Sequence, residues 1–401
     1  MNRSNMRPRR GALTLVGIGL LVSAVVGGCS SSVATTPPAA TATATAAAAP
    51  PSAATPSAAA GSPSAVAAAP VPGSSMVPSD VTGTVAFMVP DNTDSHWLSQ
   101  DAVSYKTWMH NLAPNVNVLI LNATGDPQNQ LSQAQAALTQ GAKVLSVAAV
   151  DGTQAGKIAT AAQAANASVI AYTREIPNSP VKYMVGADPH EIGVALGNWM
   201  ISKTKDGDTI AIIAGSTDDS FAHLEHDGYM SVLKPLFDSG ARKMVGDVWT
   251  PGWDTVKAHA EMDAILTASH NNVQGVLTSN DSTAQGAIGA LQTVGLAGKV
   301  PVTGVDASLA SDQLILKGLQ TMSAWRSFDN QAQYTAELTV MILTGQTPPA
   351  SYFTGTTSTG VPTKAVPSII IDITNLQMLI DVKSIDKTAL CQGIPTGTGP
   401  C

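Results

Sequence analysis

The stretch Pro127-Gln128-Asn129-Gln130-Leu131-Ser132-Gln133-Ala134-Gln135-Ala136-Ala137-Leu138-Thr139, followed by Gln140-Gly141-Ala142 and then Lys143-Val144-Leu145-Ser146-Val147-Ala148-Ala149, decides the fold class. Leu131, Ala134 and Leu138 recur at spacings of three and four, which predicts an amphipathic helix over 127–139. Gly141 ends it. The next seven residues form a nearly continuous apolar run of strand length, as expected of a strand covered on both faces. Other runs of this kind occur at 83–89, 116–121, 168–172, 209–214, 274–279 and 300–305. Helix-length segments lie between them. One spans 281–294, with Ala284, Ile288 and Leu291 on one stripe and the capping cluster Asn280-Asp281-Ser282 at its start. Strands alternating with helices imply parallel sheets with helices on both faces.

In such sheets ligands sit beyond the carboxyl ends of the strands. Four polar residues fall there: Asp91 after the first run, Arg174 after Ala171-Tyr172, Asn280 after Leu277, and Asp306 after Val305.

Working outward, the start of the chain reads as an export signal. Arg3, Arg7, Arg9 and Arg10 precede an apolar stretch over 12–26, too short for a spanning helix. Cys29 follows Val26-Gly27-Gly28, the pattern of a lipobox, in which the Cys is lipidated; an ordinary signal peptide with an incidental Cys is the other reading. Residues 30–79 are almost only Ala, Pro, Ser, Thr, Gly and Val, with no charge. Such a segment has no bulky apolar groups to offset chain entropy, so it is expected to be a disordered tether. It could extend on the order of 100 Å. About 320 residues remain, enough for two lobes. The net charge of -7 argues against nucleic acid as a partner. No second long apolar run occurs, which leaves lipid as the expected membrane contact. With Cys29 lipidated, Cys391 and Cys401 are an even pair, either bridged around a short flexible stretch or left as two free thiols.

The ordered set of short matches resembles the type I periplasmic sugar-binding proteins, most closely their xylose-binding members. It includes Gln130-Leu131-Ser132-Gln133, Ala171-Tyr172-Thr173-Arg174, Val232-Leu233-Lys234-Pro235, Asp238-Ser239-Gly240, Gly246-Asp247 and Gly252-Trp253. It continues through Ser279-Asn280-Asp281, Gly295-Leu296-Ala297-Gly298-Lys299-Val300, Gly304-Val305-Asp306-Ala307 and Gln320-Thr321-Met322. The resemblance implies two doubly wound parallel-sheet lobes joined by three crossovers, with the ligand in the cleft between them. The implied lobes are 80–202 plus 327–355 and 203–326 plus 356–385. Residues 1–28 are then the signal peptide, 29–79 the lipidated Cys and tether, and 386–401 a C-terminal tail.

A sugar presents apolar ring faces and a rim of hydroxyls, so its site needs flat aromatics together with charged or amide groups. Trp97, in Asp94-Ser95-His96-Trp97, and Trp253, in Pro251-Gly252-Trp253, match the family's aromatics; a core role is the alternative for each. Arg174 offers a guanidinium fork for neighbouring hydroxyls, or else pairs with Glu175. Asn280 combines donor and acceptor, and can also cap its helix. By the resemblance Asp306 accepts from two hydroxyls, Arg326 stands for a family Lys, and Asp219 lies in a further ligand loop. The chain also departs from the pattern. Thr173 replaces an Asp that commonly accepts from a hydroxyl near the anomeric carbon, His96 replaces Arg, and Phe221 replaces Asn.

The resemblance implies a binding protein that captures a pentose-like sugar or polyol by lobe closure and delivers it to a membrane permease. It implies a monomer without cofactor or metal, held outside the cytoplasm by lipid on Cys29. A lipid-anchored sensor signalling to a membrane receptor is the other reading. An enzyme is disfavoured, since no nucleophile elbow, phosphate loop or H-E-x-x-H occurs. His223 and His226, three apart on an expected helix, read as a solvated face with no third metal ligand nearby.

Overall fold

A computed structural model describes residues 80–94 and 96–401. The expected leader 1–28, Cys29 and the tether 29–79 lie outside the described residues, as does Ser95.

The chain opens with β1 (Thr82–Val89), a π-helical turn at Trp97–Asp101 that runs into α1 (Ala102–Leu112), β2 (Asn115–Asn122), α2 (Pro127–Thr139) and β3 (Ala142–Val147). It continues through α3 (Gly152–Ala164), β4 (Ser168–Tyr172), β5 (Tyr183–Gly186), α4 (Pro189–Lys203), β6 (Thr209–Ala214), α5 (Ser220–Asp238) and β7 (Lys243–Trp249). Then come α6 (Thr255–Ala268), β8 (Gly275–Thr278), α7 (Asp281–Thr293), α8 (Leu309–Leu316), β9 (Ser323–Arg326) and α9 (Phe328–Leu343). The last elements are β10 (Gly355–Thr356), β11 (Pro362–Ala365), β12 (Ser368–Ile371), α10 (Gln377–Asp381) and α11 (Lys387–Leu390).

One sheet has the order β10-β11-β5-β4-β3-β1-β2, parallel except at β10–β11. In β1 the period of two sorts the buried side chains. Val85, Phe87 and Val89 enter one apolar cluster, and Ala86 and Met88 enter the cluster on the opposite face. A second sheet runs β7-β6-β8, all parallel. Here Ile210 and Ile212 face one cluster, and Ala211 and Ile213 the other. In both sheets the first strand in sequence lies between the next two, so the loops leaving its carboxyl end and those of its neighbours diverge there.

The run 300–305 differs from its expected form. It makes single bridges, Val302 to Val276 and Val305 to Ala324, rather than a full strand. Side chains replace part of the ladder: Thr278 N–H donates to Thr303 Oγ1 (2.9 Å), and Thr303 Oγ1 donates to Thr278 O (3.0 Å). The extended segment still links β8 to the β9–β12 pair. Strands β5, β7 and β9–β12 have no counterpart among the predicted runs; they are short, or sit at an edge with polar residues exposed, as in Lys243-Met244-Val245-Gly246-Asp247.

Two crossings between the halves fall away from 202/203 and 355/356. Helix α4 packs on α5 in the second half, with Ile192, Leu196 and Met200 in the same cluster as Ile210 and Leu233. The approach is close because Gly193 and Gly228 lack side chains. A Cβ on Gly193 would lie 2.0 Å from the backbone oxygen of Glu225, and one on Gly228 2.2 Å from that of His190. β11 pairs with β5, so 362–365 belongs to the first sheet. The middle crossing runs between Arg326, which ends β9, and Phe328, which starts α9.

Cys391 and Cys401 form a disulfide, with Cα atoms 5.4 Å apart. Leu390 and Cys401 pack with Leu316, Trp325 and Leu379, which fastens the C-terminal tail to the second half. Among the described residues no helix is long and apolar enough to cross a membrane.

Candidate ligand-binding site

Carboxyl-end loops of both sheets converge on one polar cavity. The first half supplies Asp94, His96 and Trp97 after β1, and Thr173 and Arg174 after β4. The second half supplies Asp219 and Phe221 at the start of α5, Trp253 after β7, Ser279 and Asn280 after β8, and Asp306 and Arg326. The free space among these side chains is about 30 Å³.

Several of the groups satisfy one another across the cavity. Arg174 Nε donates to Asp219 Oδ2 (2.7 Å), while its NH1 donates to Ala149 O (2.8 Å). It therefore pairs with the other half and not with Glu175, whose carboxylate accepts from Ser358 N–H (2.9 Å) and Ser358 Oγ (2.6 Å). Asn280 Nδ2 and Ser282 Oγ both donate to Asp94 Oδ1 (2.8 Å each). Asn280 is at once a cap: its Oδ1 accepts from Thr283 N–H (2.9 Å) at the start of α7. Asp219 likewise caps α5 through Phe221 N–H (2.9 Å) and accepts from Trp253 Nε1 (3.1 Å).

The two tryptophans combine both readings. Trp97 is 2 % exposed and belongs to the first half's core, yet it lines the cavity with the Arg174 guanidinium 5.4 Å from its ring centre. Its Nε1 has no hydrogen-bond partner. Trp253 lies over Gly215, the residue after β6, where a Cβ would come within 2.2–2.5 Å of three ring carbons. Only glycine there lets the ring lie flat on the strand end.

The second wall is ionic. Arg326 NH1 donates to Asp306 Oδ1 (2.9 Å), and Arg326 Nε to Gln331 Oε1 (3.1 Å). Asp306 and Thr173 both have positive φ (99° and 64°), uncommon for these residue types and a sign of local strain at a site. His96 stacks on Phe328 and places Nδ1 2.5 Å from Asp101 and Nε2 3.9 Å from Asp306. Burial works against its charge, but Asp101 and Asp306 outweigh burial and hold its pKa above the ordinary value. Burial, with Asp306 nearby, pushes the Asp94 carboxyl up to about 6. Burial also raises Asp219, against the opposing pull of Arg174.

Asp91 is the one sequence candidate in the described residues that the structure leaves out of this set. It is partly exposed, its Oδ1 accepts from Thr93 N–H (2.8 Å), and it lines a neighbouring cavity of about 490 Å³ beside Asp218 and Lys257. The Pro90-Asp91 turn comes too early in the loop to reach the centre. Asp94, three residues before Trp97, takes that place. Ser279 and Val305 also line the cavity and were not selected from the sequence, nor was Gln331, which lies behind it in contact with Arg326 and Thr173. Ser279 and Val305 are neighbours of selected residues, whereas Gln331 carried no signal. His223 and His226 do not join a metal cluster: His223 Nε2 contacts Thr217 O (2.8 Å) and His226 contacts Asp247 (3.1 Å). Among the described residues no group of three metal-ligating side chains occurs.

Comparison with known proteins agrees with this geometry. Residues 85–347 match the periplasmic binding protein domain family. The D-xylose-binding periplasmic protein of Escherichia coli (strain K12) is 32% identical over 260 residues, 65% of this chain and 78% of that protein. A multiple sugar-binding periplasmic receptor of Rhizobium radiobacter is 32% identical over 321 residues, 74% of this chain and 89% of that protein. Among solved structures, an ABC transporter solute binding protein from Clostridium phytofermentans with bound β-D-glucose superposes with a TM-score of 0.70 at 28% identity, covering 77% of this chain and 99% of that one. These relatives are sugar-binding proteins, not enzymes. The family match, the relatives and the sheet topology agree: this chain belongs to the periplasmic binding protein family and has its type I fold.

Proposed function

We propose that this chain is the substrate-binding component of a carbohydrate ABC importer, capturing a pentose-like monosaccharide or a polyol between its halves. The observation that carries the reading is the convergence, from both halves, of two tryptophan rings with a guanidinium, an amide and carboxylates in one buried cavity. Rings suit the apolar faces of a sugar; the polar groups suit its hydroxyls. The names of the xylose-binding and multiple sugar-binding relatives support the same class.

A cavity of about 30 Å³ has room for water but not for a monosaccharide. A ligand therefore enters by parting the halves, and its hydroxyls exchange for the Arg174–Asp219 and Asn280–Asp94 contacts when they close again. Contacts made with both halves at once give the ligand its preference for the closed arrangement. A permease reads that arrangement, and lipid on Cys29, joined to the binding halves through residues 30–79, keeps the protein within reach of it. The basic-apolar leader and Gly27-Gly28-Cys29 support this anchoring.

The test is calorimetry and thermal shift of the purified chain against D-xylose, other pentoses, hexoses and polyols, with sugar acids as controls. Saturable binding of one or a few neutral sugars or polyols is the expected result. A flat response across the panel overturns the proposal.

A further inference from the structure

Thr173, Gln331 and Arg326 form a hydrogen-bond chain whose direction is fixed by chemistry. Arg326 Nε is a donor only, and it faces Gln331 Oε1 at 3.1 Å. The Gln331 amide nitrogen must then point the other way, and it donates to Thr173 Oγ1 at 2.5 Å. Gln331 is fully buried, and its two partners are 4 % and 3 % exposed, so no bulk water competes for the chain. The far end is anchored by the Arg326–Asp306 ion pair. Thr173 Oγ1 is thus committed as an acceptor toward Gln331, and its own O–H proton is the group left for the cavity it lines.

The backbone supports the same aim. Thr173 has φ 64°, an unusual conformation for a β-branched residue. It is held there by its N–H donating to Val185 O (2.8 Å) and by the absence of a Cβ on Gly186, which would lie 3.1 Å from Thr173 Cα. Strain held in this way keeps the side chain directed at the cleft.

We propose that Thr173 is a specificity-determining donor, polarised by Gln331 as a positioning residue, and that this subsite selects a ligand oxygen acting as acceptor. This deepens the sugar-binding reading and rests on it. Asp94, Asp219 and Asp306 supply acceptors elsewhere in the cavity. At Thr173 the ligand needs no proton of its own: a ring oxygen, an ether oxygen or a hydroxyl used through its lone pair all fit. The subsite therefore tolerates loss of the ligand's O–H proton at this one position, provided the oxygen remains.

The experiment takes the parent sugar found by calorimetry and measures its monodeoxy, deoxyfluoro and mono-O-methyl derivatives. With the wild-type protein, one ring position is expected to lose roughly tenfold or more in affinity as the deoxy compound while an acceptor-retaining derivative loses much less. Thr173→Val, which keeps shape but removes the hydroxyl, is expected to abolish that difference, and Thr173→Ser to restore it. Gln331→Glu cannot donate to Thr173, so the Thr173 proton turns away from the cavity and the preference between deoxy and acceptor-retaining derivatives inverts. Melting curves of all variants accompany the titrations. A merely structural role for Gln331 would lower stability without changing the ranking of derivatives. An unchanged ranking in Thr173→Val and in Gln331→Glu, with the wild type binding sugar, overturns this inference alone. A wild type that binds no parent sugar overturns the sugar reading as well.

Discussion

Gly215→Ala puts the tryptophan platform to a direct test. The added Cβ would lie 2.2 Å from Trp253 Cη2 and 2.5 Å from both Cζ2 and Cζ3. Ordinary carbon contacts are about 3.5–4.0 Å, so the ring must shift by roughly 1 Å or more. It is not free to slide, because Nε1 donates to Asp219 Oδ2 (3.1 Å) and the backbone N–H to Thr250 O (3.0 Å). A shift of that size stretches the indole–carboxylate bond beyond hydrogen-bonding range, and overpacking adds about 1–3 kcal/mol of instability. For ligand binding, loss of the ring face is about 1 kcal/mol, and a displaced Asp219 adds a similar amount. Together these correspond to a rise in Kd of roughly ten- to a hundredfold. The assay is calorimetry with the best sugar of the panel, beside thermal melts. Trp253→Leu removes the three clashing carbons, so in that background Gly215→Ala is expected to cost little further stability, a coupling that a double-mutant cycle reads directly. If Gly215→Ala melts and binds like the wild type, the ring does not rest on Gly215 and the platform argument is wrong.

Two further outcomes follow from the packing. Burial, with Asp306 second, pushes the Asp281 carboxyl up to about 7 from 3.8, so the native state holds a proton that the unfolded chain has lost. Its contribution is fully present below about pH 4 and is lost as pH rises through about 7, at most ~4 kcal/mol over that window. Chemical denaturation at pH 5 and pH 8 should show a smaller stability difference in Asp281→Asn than in the wild type, and an equal difference would refute the sign. Gly193→Ala drives a Cβ into the backbone of Glu225, so denaturation should show a loss of about 1–3 kcal/mol or more; wild-type stability would mean that α4 does not pack on α5 as described.

The apolar strand runs and the helical stripe of Leu131, Ala134 and Leu138 made the α/β class legible, because burial on both faces of a parallel sheet is written in local composition. The same runs located the strand ends, and with them Arg174, Asn280 and Asp306. Short strands escaped: β10 is two residues long, and β11 is placed by pairing with β5, far away in sequence, which leaves no periodic signature. The crossings were misplaced for a related reason. The apolar face of α4 does not name its partner in the sequence; the packing of Ile192, Leu196 and Met200 with Ile210 and Leu233, and the close approach at Gly193 and Gly228, assign it to the second half.

Within the site, the sequence by itself determined residue types and approximate loops: aromatic rings, an Arg beyond a buried strand, an Asn that also caps a helix. Only the tertiary structure decided who partners whom. Arg174 sits beside Glu175 in the chain, yet it pairs with Asp219, 45 residues away, because the strand end turns the guanidinium into the cleft while Glu175 turns to Ser358. Gln331 meets Thr173 across 158 residues, and that contact fixes the polarity of a hydroxyl. Local sequence encodes what each segment must bury, but the direction of a hydrogen bond between distant segments exists only once both halves are folded around the same cavity.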